Sequence, residues 1–207
     1  LQVANFAGAA ARSIGADEVL VRTAALYHDI GKSVNPLCFV ENEQQGEDYH
    51  KSLDAKESAK AIIRHVTDGL ALAEKYKLPR VLREFITTHH GTTRTAYFYN
   101  TYVNNGGDPE DVAVFMYPGP RPTTREQVIL MISDALEAAS RTLKDKTPNG
   151  ISELVDRILL GKFQEQQFND SDITIKELTI MSETLKEYIQ QVYHARVVYP
   201  KARKTKK

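Results

Sequence analysis

The chain has 207 residues, of which 42% are hydrophobic and 26% are charged, values that are typical of a globular protein with a full core. Lysine and arginine together number 27, as do aspartate and glutamate, so no global charge attracts a nucleic-acid polymer or an acidic surface. The single cysteine, Cys38, excludes an internal disulfide bond and a cysteine zinc site. No apolar run approaches the roughly 18 residues that a membrane span needs.

Apolar residues recur at helical spacing along most of the chain, and glycine or proline marks several of the expected helix ends. Predicted helices cover residues 1–14, 17–30, 55–76, 79–91, 124–143, 150–163 and 174–196. Gly15 and Gly31 are expected to close the first two helices, and Pro79 suits the first turn of the fourth. The pattern predicts one all-α domain with a loop over 33–53 and a polar, basic tail over 201–207.

Residues 92–124 break the helical pattern. They contain the aromatic run Tyr97-Phe98-Tyr99 and two turn-forming stretches, Asn104-Asn105-Gly106-Gly107 and Tyr117-Pro118-Gly119-Pro120. An irregular stretch of this length inside a compact domain is usually functional or disordered. We therefore expect this segment to be irregular and to contain residues that recognise a ligand.

His28 and Asp29 stand side by side at the end of the second predicted helix, whose apolar residues predict a mostly buried segment. Burying an ionised carboxylate costs several kcal/mol unless an opposite charge meets it. Asp134 raises the same requirement, because residues 128–136 around it are almost all apolar. Both carboxylates therefore need a positively charged partner.

The positively charged partner could be a metal cation, and three further histidines lie at positions where they could bind it. His65 follows Ile62 on the apolar side of its helix, and His89 and His90 adjoin at a helix end, where Gly91 loosens the backbone. A lone helical histidine is often a hydrogen-bonded core residue that binds no metal. A buried aspartate often holds a helix or loop in place through hydrogen bonds. Taken together, four histidines and two carboxylates favour a common cation, and this mixture of imidazole and carboxylate suits iron, manganese, zinc or nickel.

The ordered set of His28-Asp29, His65, His89-His90 and Asp134 resembles the HD-domain metal-dependent phosphohydrolases. The flanking sequences narrow the resemblance to the C-terminal cytoplasmic HD domain of seven-transmembrane PgpH-type proteins, which are phosphodiesterases of cyclic di-AMP. These flanks are His28-Asp-Ile-Gly-Lys32, Phe39-Val-Glu-Asn42, His89-His-Gly-Thr-Thr93, Tyr97-Phe-Tyr99, Tyr117-Pro-Gly-Pro120 and Tyr193-His-Ala-Arg-Val-Val-Tyr-Pro200. The resemblance covers essentially the whole chain and assigns residues 1–200 to one HD-domain helical bundle.

This resemblance implies two divalent transition metals, iron or manganese, that activate a water for attack on phosphorus and open cyclic di-AMP to linear pApA. Asp29 would bridge both cations. His28 and Asp134 would bind one of them together with a histidine expected just before Leu1, and we expect the sequence to begin just after that residue. The second cation would be bound by the remaining histidines, His65, His89 and His90.

The expected substrate-binding residues are Lys32, Thr92, Thr93, Tyr97, Tyr99, Arg121 and Arg125. Lys32 follows the His-Asp pair by about one turn, so we expect it to contact a phosphate oxygen and to act in catalysis with Asp29. The two tyrosines are expected to stack on an adenine, although they could equally belong to the core. The two arginines would pair with the second phosphate. His50 and His194 lie outside the ordered set and are interpreted as structural or surface residues.

Two alternatives stay open at this point. The chain could hydrolyse another nucleotide, but the His-His-Glu-Lys-X-Asp-Gly-X-Gly-Tyr-Pro run of the cyclic di-GMP branch is absent, because His89-His90 leads into Gly91-Thr92-Thr93. It could instead be a non-catalytic sensor of a cyclic dinucleotide, although a sensor does not need the complete set of ligands. The resemblance also implies transmembrane segments upstream, and it leaves the oligomeric state open.

Overall fold

Eight α-helices dominate the computed structural model, which describes residues 1–39 and 49–194 and contains no β-strand in these ranges. The helices are α1 (Gln2–Ile14), α2 (Glu18–Tyr27), α3 (Ala55–Lys75), α4 (Arg80–Thr88), α5 (Ala96–Asn104), α6 (Arg125–Arg141), α7 (Pro148–Gln164) and α8 (Ile175–His194). Shorter 3-10 helices cover Ile30–Ser33, Pro36–Cys38, Tyr49–Ser52 and Pro109–Phe115. The predicted all-α fold is confirmed, and no helix among those described has the length and hydropathy of a membrane span.

Some of the expected features lie outside the described residues. They are residues 40–42 of one flanking motif, most of the motif over 193–200, the side chain of His194, and the basic tail over 201–207.

Capping residues explain where most of the predicted helices begin. Asp17, Asp54, Thr124 and Thr147 each accept a hydrogen bond from the backbone N–H three residues further on. Such a bond satisfies one of the N–H groups that have no partner within the helix. At the other end of α1, Gly15 adopts a φ of 66°, a left-handed conformation that glycine adopts without strain, and it closes the helix as predicted.

Helix α6 runs through the centre of the bundle. Residues 128–132 are all buried, which requires neighbouring helices on every side. The core around them is formed mainly by α1, α6, α7 and α8, and includes Phe6, Ile129, Leu154 and Leu185. This packing fixes the position of Asp134, which lies two residues beyond the buried run.

Helix α2 is shorter and less buried than predicted. It ends at Tyr27 instead of continuing to residue 30, so His28 and Asp29 lie in the junction before the next 3-10 turn. The helix packs on α1 and α6 through one narrow face, and Val19 and Leu26 are exposed on the other. The prediction of a mostly buried helix was therefore wrong for Val19 and Leu26.

Gly31 does not close α2, and its role differs from the one predicted. It lies inside the 3-10 turn Ile30–Ser33, which packs against the backbone of α3. A Cβ atom at this position would lie 1.9 Å from the carbonyl oxygen of His65 and 2.5 Å from the backbone nitrogen of Gly69. Only glycine permits this close approach, which brings Asp29 and Lys32 to the side of α3 that carries His65.

The segment over 92–124 is more regular than predicted. It contains α5 and the 3-10 helix Pro109–Phe115, and its two ends are joined where the backbone N–H of Tyr117 donates to the carbonyl of Thr93 over 2.8 Å. None of the residues of α5 is fully buried. The helix therefore has no strong apolar stripe, which is the signal that sequence periodicity depends on.

We expect Gly31→Ala to lower the free energy of unfolding by at least about 2 kcal/mol, because the added methyl group meets backbone atoms that cannot move aside. Gly161→Ala in α7 is the matched control, since a Cβ atom there meets no other atom within 4 Å. The control should be neutral or slightly stabilising, as glycine is unfavourable inside a helix. Urea unfolding of both variants measures the difference, and equal stabilities would show that the contact with α3 is not close.

Candidate metal centre

Six side chains that lie far apart in the sequence converge in one place. They come from the end of α2, from α3, from the end of α4 and from α6, and they form two groups in which the potential ligand atoms lie within 4.8 Å of one another. One group consists of Asp29, His65, His89 and His90, and the other of His28, Asp29 and Asp134. Asp29 belongs to both groups, the arrangement that the sequence led us to expect for a bridging carboxylate.

The imidazole rings are oriented by their own helices. The Nδ1 atoms of His28, His65 and His89 lie 3.0, 2.6 and 2.8 Å from the carbonyl oxygens of the residues three positions earlier. A carbonyl only accepts hydrogen bonds, so each Nδ1 carries a proton. In those rings that are neutral, the lone pair of Nε2 then faces the centre. The Nε2 atoms of His65 and His89 are 3.1 Å apart. Two lone pairs facing each other at this distance call for a shared positive charge.

Asp29 supplies the observation that tests whether a cation fits. Its Oδ2 lies 2.8 Å from the Lys32 ammonium and 3.2 Å from Nε2 of His28. Its Oδ1 lies 3.4 Å from Nε2 of His65 and is buried, yet it accepts no hydrogen bond from the part of the chain that the structure describes. A buried carboxylate oxygen rarely lacks a partner. Its position among nitrogen lone pairs fits a divalent cation.

The protonation states follow from burial and from the two carboxylates. Burial lowers the pKa of His28, but Asp29 and Asp134 outweigh it and raise the pKa to about 10. Burial, reinforced by the positive charge of His28, lowers the pKa of His89 to about 3. Burial also lowers the pKa of His65. Burial likewise lowers the pKa of His90. Three of the four rings are therefore neutral at neutral pH, and a cation that binds at His28 has to displace a proton.

Tyr117 holds His90, a role that the sequence did not reveal. The two rings stack with their centroids 4.1 Å apart and an interplanar angle of 24°. Tyr117 is buried, and burial raises the pKa of its phenol, so it stays neutral. On the other side of the centre, the ring of Phe39 meets His65 edge to face at 5.7 Å. The sequence singled out both aromatic residues only as parts of flanking motifs.

Gln167 holds the turn that follows the two histidines, and no local pattern could have identified it. Its side chain accepts a hydrogen bond from the backbone N–H of Thr92 over 3.0 Å and donates one to the hydroxyl of the same residue over 3.0 Å. Gly91, with a φ of 54°, leaves room for the amide oxygen. The hydroxyl of Thr93 donates to the carbonyl of His90 over 2.7 Å. Both threonines that we assigned to substrate thus shape this turn.

The two expected phosphate-binding arginines are paired with acidic residues elsewhere. Arg121 lies 2.9 Å from Asp170, and Arg125 lies 3.0 Å from Glu177. Among the described residues, neither arginine contacts an expected metal ligand. Arg125 also precedes Asp134 on α6 by nine residues, a separation of about 13 Å along the helix axis. The structure therefore does not bring these arginines to the centre.

The remaining candidates differ in their surroundings. The hydroxyl of Tyr99 donates to the carbonyl of Pro109 over 3.2 Å, which makes this ring part of the packing around α5. Tyr97 is 76% exposed. The Nε2 atom of His50 lies 2.9 Å from the carbonyl oxygen of Cys38, in keeping with its structural interpretation.

The family model of the HD domain matches residues 1–139. The chain belongs to the HD-domain family. It is 37% identical over 204 residues to the cyclic-di-AMP phosphodiesterase PgpH of Bacillus subtilis, a match that covers 99% of this chain and 29% of that protein. It is 39% identical over 200 residues to PgpH of Listeria monocytogenes, covering 97% of this chain and 28% of that protein.

A solved structure of a relative has the same fold. The crystal structure of the Listeria monocytogenes PgpH HD domain in complex with cyclic-di-AMP matches with a TM-score of 0.88 and 38% identity over 93% of this chain and 90% of that chain. The expected resemblance to PgpH-type HD domains is thereby confirmed. The chain spans less than a third of the length of the curated relatives that it matches. The HD-domain family and the clustered histidines and aspartates together indicate that this chain binds divalent metal.

We expect Asp29→Ala to lose both bound cations, because its carboxylate belongs to both ligand groups and is the only negative charge in the histidine-rich one. Elemental analysis of manganese per chain after loading and dialysis measures this. Asp68→Ala is the matched control, since this carboxylate pairs with the exposed Arg64 on α3 and belongs to neither group. Retention of two ions by Asp29→Ala would show that the carboxylate does not bridge them.

Proposed function

We propose that this domain is a metal-dependent phosphodiesterase that hydrolyses cyclic di-AMP to linear pApA. The observation that carries the proposal is the position of Asp29, whose buried Oδ1 faces the lone pairs of one ligand group while its Oδ2 faces the other. An HD-domain phosphohydrolase needs such a shared carboxylate to bring two cations to one phosphate. The relatives named PgpH support cyclic di-AMP as the substrate.

The ligand sets assign one role to each residue of the centre. His28, Asp29 and Asp134 would hold one cation, and the histidine-rich group would hold the other through His65, His89 and His90. Neutral imidazole and carboxylate ligands suit iron or manganese, which we propose as the native metals. When bound, the two cations would supply an activated water and neutralise charge on the phosphate oxygens.

Lys32 is proposed to contact a phosphate oxygen of the substrate. Its ammonium lies 2.8 Å from Asp29 and 5.0 Å from the centre of the Phe39 ring, so it faces the centre from the 3-10 turn that Gly31 holds against α3. A fixed positive charge at this position stabilises the additional negative charge that develops as water attacks phosphorus. The bond from phosphorus to the ribose 3′-oxygen then breaks, and the new phosphate stays on the 5′-oxygen.

Direct attack by water suits the site better than a covalent enzyme intermediate. The two carboxylates and four imidazoles are the candidate metal ligands, and burial raises the pKa of the Tyr117 phenol, which makes it a poor nucleophile. The presence of all six candidate ligands of this sequence in the two groups favours an enzyme over a sensor that only binds the dinucleotide.

The length of the relatives supports a larger architecture. The sequence resemblance to PgpH-type proteins leads us to propose that this domain acts on the cytoplasmic side of a membrane, attached to transmembrane segments in the full-length protein. The chain spans less than a third of the two PgpH relatives, which leaves room for such segments.

Turnover of the manganese-loaded chain tests the proposed reaction. We expect cyclic di-AMP to be converted to pApA and cyclic di-GMP to be converted much more slowly. Chromatography of the reaction products measures both rates. Binding of cyclic di-AMP without formation of pApA would identify a sensor. Preferential cleavage of cyclic di-GMP or of another nucleotide would replace the proposed substrate.

We expect Lys32→Met to lower kcat about 100-fold, as for the loss of one group that stabilises developing charge. Lys60→Met is the matched control, because Lys60 is exposed on the outer side of α3. Metal content should stay unchanged in both variants. If Lys32→Met instead loses metal, the lysine acts by holding Asp29 and does not contact the phosphate.

A further inference from the structure

A cavity of about 570 Å³ lies beside α5, apart from the metal ligands. It is bounded by the 3-10 turn Tyr49–Ser52, by the first turn of α3 and by one face of α5. None of the six candidate ligands lines it. The fold leaves this space open although large side chains surround it.

Aromatic rings form much of the wall of this cavity. They belong to His50, Tyr97, Phe98 and Tyr102. Phe98 lies 5.0 Å from the ring of His50, and Tyr102 is held in place by the ammonium of Lys56, 4.7 Å from the centre of its ring. These rings offer flat faces on which a flat aromatic ligand can stack.

The exposure of the Tyr97 ring is not explained by a packing role in the fold. It is 76% exposed, although it lines the cavity and touches Phe98 edge to face at 5.3 Å. Exposed aromatic side chains that border a cavity commonly mark a ligand site. On α5, Thr101 lies one turn beyond Tyr97 and lines the same cavity.

Polar groups at the cavity wall can recognise the edge of a base. Ser58 is buried and lines the cavity, as does Asn105, whose amide can both donate and accept hydrogen bonds. Asp54 also lines the cavity, and one of its oxygens caps α3 by accepting from the N–H of Glu57 over 2.8 Å. A nucleobase combines the two properties that this lining requires, flat π faces and an edge of donors and acceptors.

The cavity lies within reach of a nucleotide bound at the metal centre. Ser58 and His65 are both buried on α3 and are separated by seven residues, which places them on one face of the helix about 10 Å apart along its axis. The adjacent residues Cys38 and Phe39 also connect the cavity with the metal centre. The carbonyl of Cys38 contacts His50 of the cavity, and the ring of Phe39 contacts His65 of the centre.

We propose that this cavity binds one nucleobase of a cyclic dinucleotide whose scissile phosphate lies at the metal centre. The inference rests on the proposed function and adds the site that distinguishes one base from another. Cations at the centre would contact phosphate and not the bases, so preference among bases must come from a surface of this kind. Tyr97 is the stacking residue, and the buried and rim polar groups read the base edge.

Two variants and a matched control test the cavity by kinetics. Tyr97→Ala removes the stacking ring, and Thr101→Trp fills the space. We expect each to lower kcat/KM for cyclic di-AMP about tenfold relative to kcat/KM for bis(p-nitrophenyl) phosphate, a diester without a nucleobase. Tyr76→Ala removes a similarly exposed tyrosine from the far end of α3 and should leave this ratio unchanged. If both cavity variants behave like the control, the proposed base site is wrong.

Photolabelling tests the same site without depending on turnover. The metal-loaded chain is irradiated with an 8-azidoadenine derivative of cyclic di-AMP, and labelled peptides are identified by mass spectrometry. Labelling within 49–58 or 97–107 supports the cavity, and labelling confined to other segments overturns it. If no pApA forms in the unlabelled reaction, the proposed hydrolysis fails, and the labelled peptides still decide whether the cavity binds the base.

Discussion

The contact between the backbone of the Ile30–Ser33 turn and the backbone of α3 is the constraint on which the centre depends. Gly31 allows this approach, and it brings the carboxylate of Asp29 between His28 on its own segment and His65 on the facing helix. The ion pairs of Asp29 with His28 and Lys32 join residues of its own segment, so they cannot set the position of Asp29 relative to α3. Main-chain packing holds the carboxylate where two groups of ligands meet.

Residues in the C-terminal half of the chain position parts of the metal centre. Helix α6 carries Asp134 through the middle of the core, and Gln167, between α7 and α8, holds the turn after His90. Arg121, before α6, pairs with Asp170, which precedes α8, and Arg125, the first residue of α6, pairs with Glu177 in the first turn of α8. Residues that look like substrate contacts in the sequence therefore connect the ligand-bearing helices to the rest of the bundle.

Helices with a continuous apolar stripe could be predicted from the sequence, and those without one could not. Helices α1, α3 and α6 begin and end within two residues of the predicted bounds, because caps and buried faces coincide there. Helix α5 was missed because it buries no complete side chain, and the end of α2 was misplaced because a 3-10 turn continues its apolar pattern.

The candidate ligands were accessible to sequence reasoning because buried charge demands a partner wherever it occurs. The same argument found Asp29 and Asp134 without any knowledge of the fold. The supporting roles of Tyr117 and Gln167 depend on contacts between distant segments, and the cavity beside α5 exists only once α3 and α5 have packed together. Such features have no local signature in the sequence.

The carbonyl partners of the histidine Nδ1 atoms also determine the net charge of the centre. Many metal-binding histidines donate this proton to a carboxylate, which adds a negative charge just outside the ligands. Here His28, His65 and His89 face neutral backbone carbonyls instead. Among the described residues, the anionic ligands set against two divalent cations and Lys32 would then be the two aspartates. The loaded centre would carry a surplus of positive charge, an electrostatic complement to the anionic diester of its proposed substrate.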